Sequence, residues 1–399
     1  METGSVHVLC GTLFSERTRR IDDLFCRTPR SCLIVPTESY AVYRTERLAM
    51  AYGLAGIWGE RITSFQRFAE NILGADFVAI GNAERLLVVR KALEKASPFL
   101  AKDVAEGVSY TGGIATHVLR VIEALKQAAV DPETFMERLQ QRNNPSEWDN
   151  GVAAVYSAYQ ELLRQQGFYD RIGTLWAAAE ICERSAPPYL TANDILLFDG
   201  FDDFTPSELR LIETIAVHVP SVVIGLNLDR SSEKEDLYRL PTRSLCELQN
   251  GLHATVEDLP ETKARSLTEF SAQYLLCEGV PSGHTEDIER NITVTAYGLW
   301  FDELENTARE VKRLIVEENA SPEEIAVVVA DLSSVSGTLQ AIFDMFGVPV
   351  VMDVSVPLAK TALGSFVLNV VTAAAQAWPK DVATDLFASP WFEPKNAIE

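Results

Sequence analysis

Apolar positions in the first eighty residues fall into short runs separated by amphipathic stretches. VHVLCG (6–11) and SCLIVP (31–36) have the length of buried strands, and Pro36 ends the second. SERTRRIDDLF (15–25) predicts a helix with Ser15 as N-cap. Glu38–Tyr52 predicts a second helix, and RITSF at 61–65 leads into a third that reaches Leu73. Apolar strands alternating with helices predict a parallel sheet covered on both faces, an α/β fold.

From about residue 80 the pattern changes. Residues 81–97, 112–129, 150–166 and 173–183 all fit helices, and no strong strand interrupts them. Strand character returns with ILLFDG (195–200), followed by the helix SELRLIETIA (207–216) and the strand SVVIGLN (221–227). Residues 229–290 are polar and weakly periodic, with a helix expected at 268–277 and a mobile stretch at GVPSGHTED (279–287). A further α/β pattern follows. Strands are expected at NITVTAYG (291–298), EIAVVVAD (324–331) and VPVVMD (348–353), and helices at 301–318, 336–346 and 361–377. The expected organisation is 1–80 and 191–290 as two halves of one α/β domain, 81–190 as a helical insertion, and 291–399 as the incomplete start of a second domain.

The formal net charge of −22 gives no support for a broadly basic, nucleic-acid-coating surface, although a local basic groove stays open. Residues 1–90 hold 11 arginines, no lysine and 10 acidic residues, whereas the rest carries 24 basic against 47 acidic side chains. The six cysteines are scattered without a CxxC pair, which reads as free thiols in a reducing compartment. No signal peptide or membrane-spanning run is visible, so the expected location is cytoplasmic.

Candidate chemistry gathers at two strand ends. GTLFSERT after the first strand sits where a phosphate-binding loop would lie. Gly11 and Thr18 are present, Arg17 stands where the lysine should be, and the second glycine is missing. The alternative is an ordinary strand–helix turn. In DILLFDGFDDFTPSE, Asp199 has the position of a magnesium-ordering carboxylate at a strand end, but Gly200 has that of the catalytic base. Asp202 and Asp203 can equally shape the turn, with Thr205, Pro206 and Glu208 forming a capping box. Ser333, Ser334 and Ser336 precede a helix and admit a phosphate-contact reading beside a scaffold one. None of the five histidines stands in a catalytic or metal-binding pattern, and no catalytic or metal-ligating residue is assigned.

Taken in order, VHVLCGTLFSERT, SCLIVPTESYAVYRTERLA, ERITSFQRFAENIL, DILLFDGFDDFTPSELRLIE and SVVIGLN resemble the first domain of superfamily 1 DNA helicases. The nearer likeness is to AddB-type subunits of bacterial helicase–nuclease complexes, with RecC-like proteins more distant. The resemblance implies P-loop-NTPase-like domains. It places the phosphate-loop lysine at Arg17, its threonine at Thr18, the magnesium aspartate at Asp199, the catalytic glutamate at Gly200 and the motif's last aspartate at Asp203. It also expects an arginine after the strand IAVVV, where Ala330 and Asp331 stand.

The resemblance therefore implies a helicase-like region that does not hydrolyse ATP. Such a region holds or scans single-stranded or duplex-end DNA and docks an AddA-like motor subunit in double-strand-break repair. DNA contacts would come from Arg17, Arg19, Arg20, Thr37, Ser39, Thr63 and Ser64. No cofactor is expected in this segment. The resemblance puts a magnesium-dependent nuclease with an iron–sulfur cluster beyond residue 399, and WFEPK (391–395) is too thin a string to be a site. Two alternatives remain: a working ATPase in which Arg17 replaces lysine and Asp202 the missing glutamate, and a scaffold whose acidic surface binds a basic protein rather than DNA.

Overall fold

A computed structural model of the chain describes residues 4–12, 15–75, 77–96, 112–142, 145–230, 235–259, 292–352, 354 and 357–392. The chain forms two compact units, Met1–His284 and Thr285–Glu399. The helix expected at 268–277 and the stretch 279–287 lie outside the described residues.

In the first unit, β1 (Ser5–Gly11), α1 (Arg17–Arg27), β2 (Ser31–Val35), α2 (Glu38–Tyr52), β3 (Ile62–Ser64) and α3 (Phe65–Leu73) follow the apolar pattern closely. A helical insertion comes next. It contains β4 (Val78–Ala79), α4 (Asn82–Ala96), α5 (Gly112–Gln127), α6 (Pro132–Gln140), α7 (Glu147–Gln166) and β5 (Phe168–Tyr169), after which α8 (Arg171–Arg184) and α9 (Pro188–Thr191) return to the sheet and pack in its core. The two-residue strands β4 and β5 pair in parallel and tie the ends of the insertion together. β6 (Ile195–Phe201), α10 (Pro206–Ala216), β7 (Ser221–Asn227), α11 (Glu235–Leu252) and β8 (Thr255–Asp258) complete the unit.

Six strands form one parallel sheet in the order β3-β2-β6-β7-β1-β8. Its central strands are apolar throughout because both faces are covered. Alternate residues Val8, Cys10, Ile34, Leu196, Phe198 and Ile224 join one core with α3, α8, α10 and α11. Leu9, Leu33, Val35, Leu197 and Val223 join the other with α1 and α2. The insertion has a separate core built from α4, α5 and α7.

Two expectations need correction here. Ser15 is not the cap of α1. The N-cap is Glu16, whose side chain makes no cap bond, while the Ser15 hydroxyl donates to the Thr12 carbonyl. The polar stretch 229–290 contains α11 and β8. Helix α11 buries only the stripe Pro241, Ser244, Leu245 and Leu248, which explains its faint apolar signal.

In the second unit, α12 (Trp300–Glu317) and α13 (Leu332–Phe346) pack through Leu304, Ala308, Val311, Leu339, Ile342 and Phe343. α14 (Ala362–Ala375) and α15 (Lys380–Phe387) follow. The strands expected at 291–298, 324–331 and 348–353 are not present as strands among the described residues. A strand exists only with a ladder partner, and these segments have none there; Val294, Val328 and Val351 are almost fully exposed. Ser333, Ser334 and Ser336 are engaged locally. Asp331 caps α13 and accepts from the Ser333 hydroxyl at 2.6 Å, while the Ser334 hydroxyl donates to the Asp331 carbonyl.

Candidate nucleotide site at the sheet edge

The carboxyl ends of β1 and β6 bring the two sequence motifs together, with β7 between them. The register carries Phe198 opposite Ile224 but Phe201 opposite Leu226, so β6 holds one extra residue at Asp199–Gly200. Gly200 takes φ +88°, a conformation that a side chain adopts only under strain. A Cβ there would stand 2.7 Å from Cε1 of Tyr40. A glutamate beside Asp199 would have to displace the Tyr40 ring of α2 and hold a strained backbone.

Asp199 is fully buried and paired with two guanidinium groups. Arg44, from the inner face of α2, donates to Asp199 Oδ2 and to Asp22 Oδ1. Arg17 reaches over from α1 and places Nε 3.6 Å from Asp199 Oδ1. That spacing is an ion pair without a hydrogen bond, and both atoms lack any other hydrogen-bond partner among the described residues. Arg17 Nη1 donates to the Gly11 carbonyl at 3.2 Å, so its head group is turned into the protein. Gly225 on β7 leaves the room: a Cβ there would lie 3.0 Å from Asp199 Oδ1 and 3.3 Å from Arg17 Cδ. Two arginines and two aspartates form a charge-balanced cluster with at most 6% exposure each.

Burial opposes the charge on Arg44, but Asp199 and Asp22 outweigh it and raise its affinity for the proton. Burial pushes the Asp22 carboxyl up, assisted by Asp199 and opposed by Arg44. Both Asp199 oxygens face a guanidinium group, so a magnesium ion at this carboxylate would have to displace an arginine.

The other expected positions separate. Thr18 is half-buried, and Asp203 pairs with Arg243 of α11 at 3.6 Å. Asp202 is exposed on the turn, and Thr205 with Glu208 makes the expected capping box, with Pro206 in the first turn. Thr63 and Ser64 are buried; Ser64 caps α3 and donates to Glu38. Thr37 and Ser39 lie exposed at the start of α2, where Thr37 is the N-cap. Arg19 is exposed beside Glu16, and Arg20 pairs with Glu257 of β8 at 3.4 Å. Sequence reasoning missed Arg44 and Asp22. The signal for Arg44 was a charge inside the apolar stripe Ala41–Arg44–Leu48 of α2.

No helix among the described residues is long and apolar enough to cross a membrane. The family model "ADDB, N-terminal" matches residues 20–274. A protein from Natranaerobius thermophilus, named as a subunit of an ATP-dependent helicase/deoxyribonuclease, is 21% identical over 408 residues, covering 94% of this chain and 34% of its own length. Proteins of the same name from Desulforudis audaxviator and Bacillus subtilis are 25% and 22% identical, covering 88% and 77% of this chain and 32% and 28% of their own lengths. The chain thus spans about one-third of the length of the curated relatives it matches. With a family model covering well over half of it, the chain belongs to the AddB family.

Proposed function

We propose that this region holds DNA at the edge of a helicase-like sheet and does not hydrolyse ATP. The observation that carries the reading is the closed state of Asp199. Arg17 and Arg44 neutralise it from within the protein, and a glycine at φ +88° stands beside it where a base would be needed. Hydrolysis needs a metal-ordering carboxylate and a group that positions water; the first is engaged by arginine, and glycine stands at the position of the second. The relatives are named as helicase/deoxyribonuclease subunits, which supports a role in DNA processing. On this reading the protein works in double-strand-break end processing beside an AddA-like motor subunit. Arg19, Arg20, Thr37 and Ser39, at the carboxyl edge of the sheet, are the proposed contacts to the DNA backbone.

ATP turnover with and without single-stranded DNA tests the nucleotide half of the proposal. Turnover should stay at background in the wild type and in Asp199→Asn alike. DNA-stimulated turnover that disappears in Asp199→Asn would refute it.

A further inference from the structure

A second buried charge cluster lies away from the sheet edge. Asp170, the N-cap of α8, accepts from Lys126 Nζ at 2.7 Å on each oxygen, from the Tyr159 hydroxyl at 2.9 Å and from the Gly173 amide at 2.6 Å. Gln160 accepts from the same Lys126 nitrogen at 3.0 Å. The Lys126 carbonyl accepts from the Ser207 hydroxyl at 2.5 Å, and the Trp176 indole donates to that hydroxyl at 2.8 Å. Lys126 Nζ also lies 5.3 Å from the Trp176 ring centre. Asp170, Lys126, Tyr159, Ser207 and Trp176 are all buried.

Their placement gives the cluster its meaning. Lys126 lies in the last turn of α5 and Tyr159 lies on α7, both in the insertion. Ser207 lies in the first turn of α10, which follows the β6 bulge. Trp176 is on α8, whose later residues Ala178, Ala179 and Cys182 belong to the sheet-side core. The apolar core of the insertion and that of the sheet share no residue among those described. A satisfied polar network therefore bridges two apolar cores, and buried networks of this kind select one arrangement over its alternatives.

We propose that the Lys126–Asp170 pair, with Ser207 and Trp176, is a latch that fixes the helical insertion to the sheet at the turn after β6. The insertion and the sheet then open together rather than separately. Without the latch the insertion keeps its own core but loses its fixed seat, because its helices still pack on one another.

Hydrogen exchange with segment resolution on the full chain tests this. In Lys126→Met/Asp170→Asn the charges are removed together, and asparagine retains the N-cap acceptor. Amides of α5 and α7 should lose protection tenfold or more, while those of β1, β6 and β7 change less than threefold. Equal losses on both sides, or less than threefold loss in α5 and α7, would overturn the proposal. If the double variant does not fold, Ser207→Ala removes only the hydroxyl bridge and must give the same one-sided loss, threefold or more. Tyr159→Phe, which removes a bond inside the insertion only, should leave the sheet amides unchanged; a loss there would equally contradict the latch.

Discussion

Replacing Arg44 by methionine removes a side chain that pairs with both Asp22 and Asp199. Arg44 is fully buried, so no water replaces its bonds. Asp199 keeps only Arg17, at a distance without a hydrogen bond, and Asp22 loses its guanidinium partner. Removing one member of a buried ion pair costs about 3–5 kcal/mol, mostly through the charges left behind. For a unit of this size that corresponds to a fall in melting temperature on the order of 5–10 °C. Thermal unfolding followed by calorimetry and far-ultraviolet circular dichroism reads the change. The reasoning also fixes a rescue. Adding Asp22→Leu to Arg44→Met leaves Arg17 and Asp199 as a charge-balanced pair and should recover more than half of the loss. A loss below about 1 kcal/mol for Arg44→Met, the range of exposed pairs, would refute the claim that the cluster is a closed, interdependent unit.

The double change Arg17→Lys/Gly200→Glu restores the residue types of a working nucleotide site. It should yield no ATP turnover and a less stable protein, by about 1–3 kcal/mol for the side chain forced into φ +88° against Tyr40. Thr205→Ala removes the cap of α10 and should cost about 1 kcal/mol in denaturant unfolding, with no effect on DNA affinity. Burial alone would push the Asp170 carboxyl up, but Lys126, with bonds from Gly173 and Tyr159, holds it below the ordinary carboxylate range. A carboxyl whose folded value is depressed contributes stability above its unfolded value, near 3.9, and loses it as pH falls through the folded value. Stability measured between pH 6 and 3 should therefore drop more steeply in the wild type than in Asp170→Asn; parallel curves would contradict the pairing.

The apolar runs at 6–11, 31–36, 195–200 and 221–227 identified four strands of the sheet, because a doubly covered parallel strand reads as uninterrupted apolar sequence. Asp199, Gly200 and Arg17 were legible as candidate positions at two strand ends. What the sequence did not convey is that Arg17 pairs with Asp199 inside the protein. Arg44 and Asp22 come from different helices, and only the folded sheet edge brings them to Asp199. Lys126 was hidden in the same manner, as a charge one turn after Ile122 on the apolar stripe of α5. Charges inside apolar helical stripes were the readable trace of both clusters. The edge strand β8 is short and mostly exposed, so its apolar pattern was too weak to register. The three segments of the second unit failed for the opposite reason: their apolar pattern is strong, but a ladder partner is not a property of local sequence.

The central claim is that this region holds DNA with its nucleotide site closed. Its most direct test is a titration of labelled single-stranded and duplex-end DNA with the full-length protein across salt, with and without magnesium and ATP. The account predicts binding that weakens steadily with salt, is reduced by Arg19→Ala/Arg20→Ala, and is the same with or without ATP. No binding at any end structure at low salt, or an affinity that ATP changes in the wild type but not in Asp199→Asn, would contradict it.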